Sequence, residues 1–362
     1  MLKVLLGSLL FIFCCPSIFA GSAASDRVIA SRFAPVFYQA LGDKPRSDYI
    51  TKFDFDGDWR GDNNWSNSGK KKYPLKAYIY YAVSETATHY FIHYAVFHPR
   101  DYKGGEVKGR LFSSLIRQGA EILGDKDPTG IADEATLAHE NDMEGTLVVV
   151  AKNGGEMAAA KPAYVETLAH NVFIPYLEGA SAESRFSPFQ TDGQRVKLYI
   201  EPKGHGIEAY SGDAKQVDGK EFLVYKYTGR ADDPDKVKGK EIGYDLLPIE
   251  TTLWTKAKVS ADPKGPTFGT AHNYAPVSID ILAADGKAAT RKIDLPNLGS
   301  AFYGKQGGIN MARPPWGWFD SKRREDPLGL WFFDPAKIIK RNFNLGEAFS
   351  TVYTRVPFWA AK

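Results

Sequence analysis

The apolar positions of this chain fall mostly into short runs with a period of two, the spacing of strands that turn alternate side chains to opposite faces. The pattern predicts strands over Lys76–Val83 and His89–Phe97, both rich in Tyr, Phe, Ile and Val, with a turn at Ser84–Thr88 between them. In the second strand, His89, Phe91, His93 and Ala95 share one face, and Tyr90, Ile92, Tyr94 and Val96 the other. Further strands are expected at Thr146–Ala151, Val196–Ile200, Glu221–Tyr227, Thr251–Val259 and Val277–Leu282, separated by turns such as Asp192–Gly193, Asp218–Gly219 and Asp285–Gly286. Helix-length patterns are confined to Leu111–Leu123 and Pro335–Phe349, the latter with proline at its first position and Asp334 as its cap. The charged stretch Gly229–Lys240 reads as an exposed loop. The expected fold is mainly β: an antiparallel β-sandwich with long loops and one or two short helices.

The N-terminus follows another logic. Met1–Leu2–Lys3 is a short positive end, Val4 to Phe13 is almost wholly apolar, and small residues follow from Ala20 to Ala24. This is the layout of a secretory signal, and its apolar run is about half the roughly twenty residues of a membrane-spanning helix. The expectation is a signal over residues 1–20, with cleavage as late as 24 as the alternative. Residues 21–362 then form a single β-rich domain with an aromatic C-terminal extension from about 300 and no transmembrane segment. A retained N-terminal anchor is the other reading. The expected location is secreted or periplasmic.

Both cysteines, Cys14 and Cys15, lie in the signal, so the mature chain is expected to have no thiol, disulfide or cysteine-ligated metal. About 340 residues remain, enough for a sizeable core without cross-links. The whole chain carries a formal net charge of +3, too little for the basic field that holds nucleic acid, which is excluded as a partner. The sequence contains no Gly-x-Ser-x-Gly elbow, no phosphate-binding Gly-x-x-x-x-Gly-Lys-Ser/Thr and no His-Glu-x-x-His.

Four segments carry candidate chemistry. The densest is His139–Glu140–Asn141–Asp142–Met143–Glu144–Gly145, running into the apolar Thr146–Val150. If the chain bends at Asn141, His139, Asp142 and Glu144 converge at a strand mouth on one divalent ion; a polar loop before a strand is the alternative. Asp101 lies just past the end of the His89–Phe97 strand, within reach of a neighbouring loop. His205 stands between glycines in Lys203–Gly204–His205–Gly206, either in a functional turn or as a surface-loop histidine. Asp54–Asp62 alternates aspartate and glycine like the front of a calcium loop. Trp65 stands where such a loop needs glutamate, and turn-forming aspartates explain the pattern equally well. The aromatic stretches Pro314–Asp320 and Leu330–Asp334 read as a ligand platform or as a tail packed on the sandwich.

Taken in order, Ile92 to Asp101 and then His139 to Glu144 resemble the necrosis- and ethylene-inducing peptide 1-like proteins. Those carry a Tyr-rich strand ending in Pro-Lys-Asp, then a Gly-His-Arg-His-Asp-Trp-Glu heptad and an apolar strand. Phe33–Tyr38 and Lys203–Gly206 are similar to the related vacuolar-sorting-62-like proteins and give His205 a place beside the others. The resemblance covers residues 33–210 in patches and implies a β-sandwich with a divalent-metal site at Asp101, His139, Asp142, Glu144 and His205. Here Ala138, Asn141 and Met143 replace the heptad's glycine, second histidine and tryptophan, and Asp101 is separated from His139 by far more chain than in those toxins.

The resulting expectation is a secreted β-sandwich whose divalent ion, Mg²⁺, Ca²⁺ or Mn²⁺ ahead of Zn²⁺, bridges to a surface glycan or lipid headgroup. The alternatives are a metal-dependent phosphoester hydrolase, with Glu140 or His205 as the catalytic acid or base, and an envelope protein whose metal is structural.

Overall fold

A computed structural model of the chain describes residues 23–102, 138–154, 157–257, 267–269, 271–295, 297–304 and 312–358. The first strands are β1 (Val36–Leu41), β2 (Tyr78–Thr86), β3 (His89–Asp101), β4 (His139–Ala151), β5 (Lys161–Ala169) and β6 (Val172–Leu177). After them come β7 (Thr191–Asp192), β8 (Arg195–Ile200), β9 (Ile207–Ala209), β10 (Glu221–Tyr227) and β11 (Glu241–Pro248). The last are β12 (Ala271–His272), β13 (Val277–Leu282), β14 (Ala288–Ile293), β15 (Leu298–Gly299) and β16 (Tyr353–Arg355).

Fourteen of these join in one sheet in the order β6-β5-β4-β3-β2-β11-β10-β1-β8-β7. β9 pairs with β8, and β13, β14 and β16 attach beside β2. Most pairings are antiparallel; those of β1 with β8, β10 with β11, β11 with β2 and β13 with β16 are parallel. β9 also lies against β5, so the sheet nearly closes into a barrel-like shape. The mainly β class with a few short helices is thus what the alternation predicts. No helix among the described residues is long and apolar enough to cross a membrane.

The centre of the sheet is buried on both faces, because the alternating side chains of β2, β3 and β4 feed two cores. Ile79, Tyr81, Ile92, Tyr94, Val148 and Val150 point into the space enclosed by the curled sheet, where they meet Phe37, Leu198, Tyr225 and Tyr244. Tyr80, Ala82, Phe91, Phe97, Leu147 and Val149 point outward. That face is covered by the C-terminal aromatics: Trp316, Trp318, Trp331, Phe332 and Phe333 are all buried. Each indole N–H in the cover finds an acceptor: Trp316 donates to the carbonyl of Gly299 at 2.7 Å, Trp318 to that of Met143 at 3.1 Å, and Trp331 to the Glu166 carboxylate at 2.7 Å. Buried indoles need such partners, and finding them makes this stretch a packed cover.

Some predicted elements shift. Thr251–Val259 was expected as a strand; Ile249–Thr251 is a 3₁₀ turn and Leu253–Ala257 is helical. Leu253, Trp254 and Ala257, at helical spacing, are all buried, so packing against the covered face decides the local form. The helix expected over Pro335–Phe349 runs only from Pro335 to Asn342, capped at its start by Asp334, and Asn344 with positive φ lies just past its end. The signal at 1–20 and the helix expected at Leu111–Leu123 lie outside the described residues.

Candidate functional site

The polar segment His139–Glu144 is not a loop before a strand. It is the first half of β4 itself, and every position in it is buried. It pairs with the far end of β3, His98 opposite Asp142, Arg100 opposite Glu140 and Asp101 opposite His139. The ladder skips Pro99 and Asn141 between them, proline having no N–H to give.

Asn141 takes positive φ, 61°, a conformation asparagine tolerates better than most residues. Strict alternation would put His139 and Asp142, three residues apart, on opposite faces. The left-handed residue breaks the alternation, and His139, Asp142 and Glu144 line one cleft together with Asp101. Asn141 is locked in place: its amide donates to the carbonyls of Gly61 and Tyr303, each at 2.8 Å, and its oxygen accepts from Asn64 at 2.7 Å. Gly145 follows because the Trp318 ring lies where its Cβ would be.

The cleft is narrow, with an interior volume of about 20 Å³. Three carboxylates and the His139 imidazole face it, and His170, Asn171, Arg313 and Trp318 are among the other residues that line it. His139 Nε2 lies 3.8 Å from Asp101 Oδ2, and Glu144 accepts from the His170 backbone N–H at 3.4 Å. His170 is also paired with Glu201. Several acidic groups in one space repel one another unless positive charge balances them; Arg313 in the lining and His205 against Asp142 supply part of it, and the carboxylate-rich donor types are those a hard divalent ion takes.

His205 lies behind this wall. Rather than standing in a surface loop it is fully buried, its turn sharpened by positive φ at Lys203 and at His205 itself. Its Nδ1 is 2.7 Å from Asp142 Oδ2 and its Nε2 is 3.2 Å from Asp48 Oδ1. Burial on its own pushes the imidazole pKa down, but the two carboxylates outweigh that and carry it up to about 10. The same pairing holds the buried Asp142 carboxyl below its usual range against desolvation. Asp48 is held in turn by the N–H groups of Gly42 and Lys203, both at 2.8 Å, and by the Tyr102 hydroxyl at 2.9 Å. His98 stacks on His205 with centroids 3.8 Å apart and planes 7° from parallel. Burial and the neighbouring imidazolium drive the His98 pKa well down. His98, Asp142 and His205 each offer a donor atom within 4.8 Å of the others, close enough to hold one metal ion.

Glu140 faces elsewhere: its carboxylate accepts from the Trp65 N–H at 2.6 Å, and it is not among the residues lining the cleft. The Asp54–Asp62 segment is satisfied locally, in part by Lys52, Asn63 and Asn67 beside it. Asp56 and Asp58 accept from backbone N–H groups two residues on, and Asp62 pairs with Arg60. Asp48, His98, His170 and Arg313 were not anticipated. For His98 a signal existed, since it ends the same strand as Asp101; for Asp48 none did.

No family model matches the chain, and no curated protein matches it in sequence. Among solved structures it is similar to NLPPya in complex with mannosamine, at 14% identity over 64% of this chain and 76% of that one, with a TM-score of 0.32. It is similar to a toxin fold for microbial attack and plant defence at 13% identity over 68% and 83%, TM-score 0.32. NLPPya in complex with glucosamine matches at 14% identity over 62% and 72%, TM-score 0.30. These neighbours are necrosis- and ethylene-inducing proteins, and the likeness to them is distant.

Proposed function

We propose that this chain is a secreted or periplasmic binding protein that captures a glycan or a lipid headgroup through a divalent cation held by Asp101, His139, Asp142 and Glu144. The observation that carries the reading is the left-handed Asn141, which turns His139 onto the same cleft as Asp142, Glu144 and Asp101. A protein that needed these residues only for folding would gain nothing from gathering its acidic groups in one hollow. A cation there reverses the local field and accepts hydroxyl, carboxylate or phosphate oxygens from a ligand. The interior volume of about 20 Å³ has room for an ion or a single water, so a sugar or headgroup would meet the cation from the mouth of the cleft rather than enter it. Binding is favoured over hydrolysis because both candidate bases are already engaged, Glu140 by a backbone N–H and His205 by two aspartates.

The test is retention on a panel of immobilised glycans and lipid vesicles, with Mg²⁺, Ca²⁺ or Mn²⁺ present and again after chelation. Binding that disappears with the ion, and in Glu144→Gln, is the expected result. Retention indifferent to both chelation and Glu144→Gln would remove the cation from the reading.

A further inference from the structure

We propose that Asp48 is a positioning residue of the cleft: through the His205 imidazole it fixes Asp142 in the one orientation that leaves Oδ1 for the cation. This rests on the reading of the cleft as a cation site, and it gives a role to two residues that do not line it.

The ring geometry makes His205 a holder rather than a ligand. His98 and His205 lie face to face, with centroids 3.8 Å apart and planes 7° from parallel, so the in-plane lone pairs of the two rings do not meet at one point. His205 instead turns both of its nitrogens to carboxylates, Nδ1 to Asp142 and Nε2 to Asp48. An ionised carboxylate only accepts, so the ring donates from both nitrogens and keeps no lone pair for a metal. The Nδ1–H takes Asp142 Oδ2 at 2.7 Å. That oxygen is committed, and Oδ1 is what Asp142 brings to the cleft that it lines.

The chain of contacts is rigid from its far end inward. Asp48 ends the short helix Pro45–Asp48 and is fully buried. Its Oδ2 accepts from the Gly42 N–H at 2.8 Å and the Tyr102 hydroxyl at 2.9 Å, and its Oδ1 from the Lys203 N–H at 2.8 Å and His205 Nε2 at 3.2 Å. Two donors on each oxygen leave this carboxylate no freedom to turn. Glycine is needed at position 42 for the purpose, because the Tyr102 hydroxyl lies 2.5 Å from where a Cβ would stand. The His98 ring, itself held by Gln39 Oε1 at 2.9 Å, lies on the face of His205 and keeps it from tipping. A ligand carboxylate held in this way loses little freedom when an ion arrives, whereas a loose one must be ordered at that moment.

The experiment is a Mn²⁺ titration of the full-length protein. Free Mn²⁺ is counted by its paramagnetic resonance signal, the spectrum of the bound ion is recorded, and thermal unfolding of each variant is followed alongside. Asp48→Asn should weaken Mn²⁺ binding by about 10- to 100-fold, the usual effect of losing an outer partner, and broaden the spectrum of the bound ion. His205→Ala should do the same. His205→Asn, whose amide N–H can stand in for Nδ1–H, should recover most of that loss. Tyr353→Phe is the control for destabilisation alone: its hydroxyl donates to Asp334 at 2.8 Å, away from the cleft, so it should lower the unfolding temperature and leave Mn²⁺ affinity unchanged. Folded Asp48→Asn that binds Mn²⁺ as tightly as the unaltered protein overturns the proposal, as does equal affinity in His205→Ala and His205→Asn. Failure of the unaltered protein to bind Mn²⁺ removes the cation site itself, and the proposal with it. Should Asp48→Asn fail to fold, the two His205 variants decide.

Discussion

Two acidic segments of this chain look alike on paper and behave oppositely in the fold. Asp54–Asp62 and His139–Glu144 each crowd polar ligand types into a few residues. In the first, the acceptors are filled from within the segment and from its close neighbours in sequence: Asp56 by the N–H of Asp58 and the Asn67 amide, Asp58 by the N–H of Arg60 and the Asn63 amide, Asp62 by the Arg60 guanidinium, and Asp54 by Lys52. In the second, the partners come from distant chain: Asp142 meets His205, Asn141 meets Asn64 and Tyr303, and Glu140 meets Trp65. A cluster satisfied by its near neighbours in sequence is a turn that happens to be acidic. A cluster satisfied at long range is held in a shape that its own sequence does not favour, and that shape is where a site can be kept.

The sharpest way to break the comparison is Asp142→Ala. It leaves the His205 imidazolium buried against Asp48 alone, and removing one partner of a buried ion pair costs about 3–5 kcal/mol. Urea unfolding measures it. A loss under about 1 kcal/mol would make this segment energetically no different from the acidic turn.

The same cluster sets a pH response. The folded pKa of His205, about 10, lies above its usual 6.5, so its stabilisation is fully present below pH 6.5 and is lost as pH rises through 10. Asp142 works in the other direction: its folded pKa is depressed, so its share is present above the ordinary carboxylate range and is lost as pH falls through the lowered value. Unfolding free energy should therefore decline between pH 6.5 and 10, and His205→Gln should flatten that decline in the same titration.

Asn141→Ala comes next. It removes three hydrogen bonds and puts alanine at a positive φ, for a loss of about 2–3 kcal/mol. Asn141→Gly keeps the backbone freedom and should recover part of it in thermal unfolding. If alanine and glycine are equal, the left-handed bend is not what orders the cleft. The smallest effect belongs to Asp58→Ala, about 1 kcal/mol or less in the same assay, since it gives up only local turn contacts, to the Arg60 N–H and the Asn63 amide.

How much of this was legible in the sequence follows from the same contrast. β2 and most of β3 could be read because their apolar residues alternate, and Glu221–Tyr227 matches β10 end to end. The cleft residues were legible as a set through the spacing of His139, Asp142 and Glu144 and the resemblance that added Asp101. The strand beneath them was not. A period-two reading looks for apolar residues, and the first half of β4 is buried without them. Asp48 was invisible because its partner His205 lies 157 residues away. His205 was readable as a turn residue but not as a buried one, because the groups that desolvate and charge it come from β4 and from the short helix Pro45–Asp48 after β1.

The aromatic cover also orders events in time. It is drawn from residues 312–358, while the strands beneath it begin at residue 78; the contact between His93 and the Trp331 carbonyl spans 238 residues. A chain made from its N-terminus has completed β2, β3 and β4 long before that cover exists, and pairings of such separation form slowly. Until then Phe91, Leu147 and Val149 lack that cover on a wide sheet face. The nascent chain must therefore be shielded or kept open until its last residues arrive, and a protease that clips the tail early yields a sticky fragment rather than a smaller working protein.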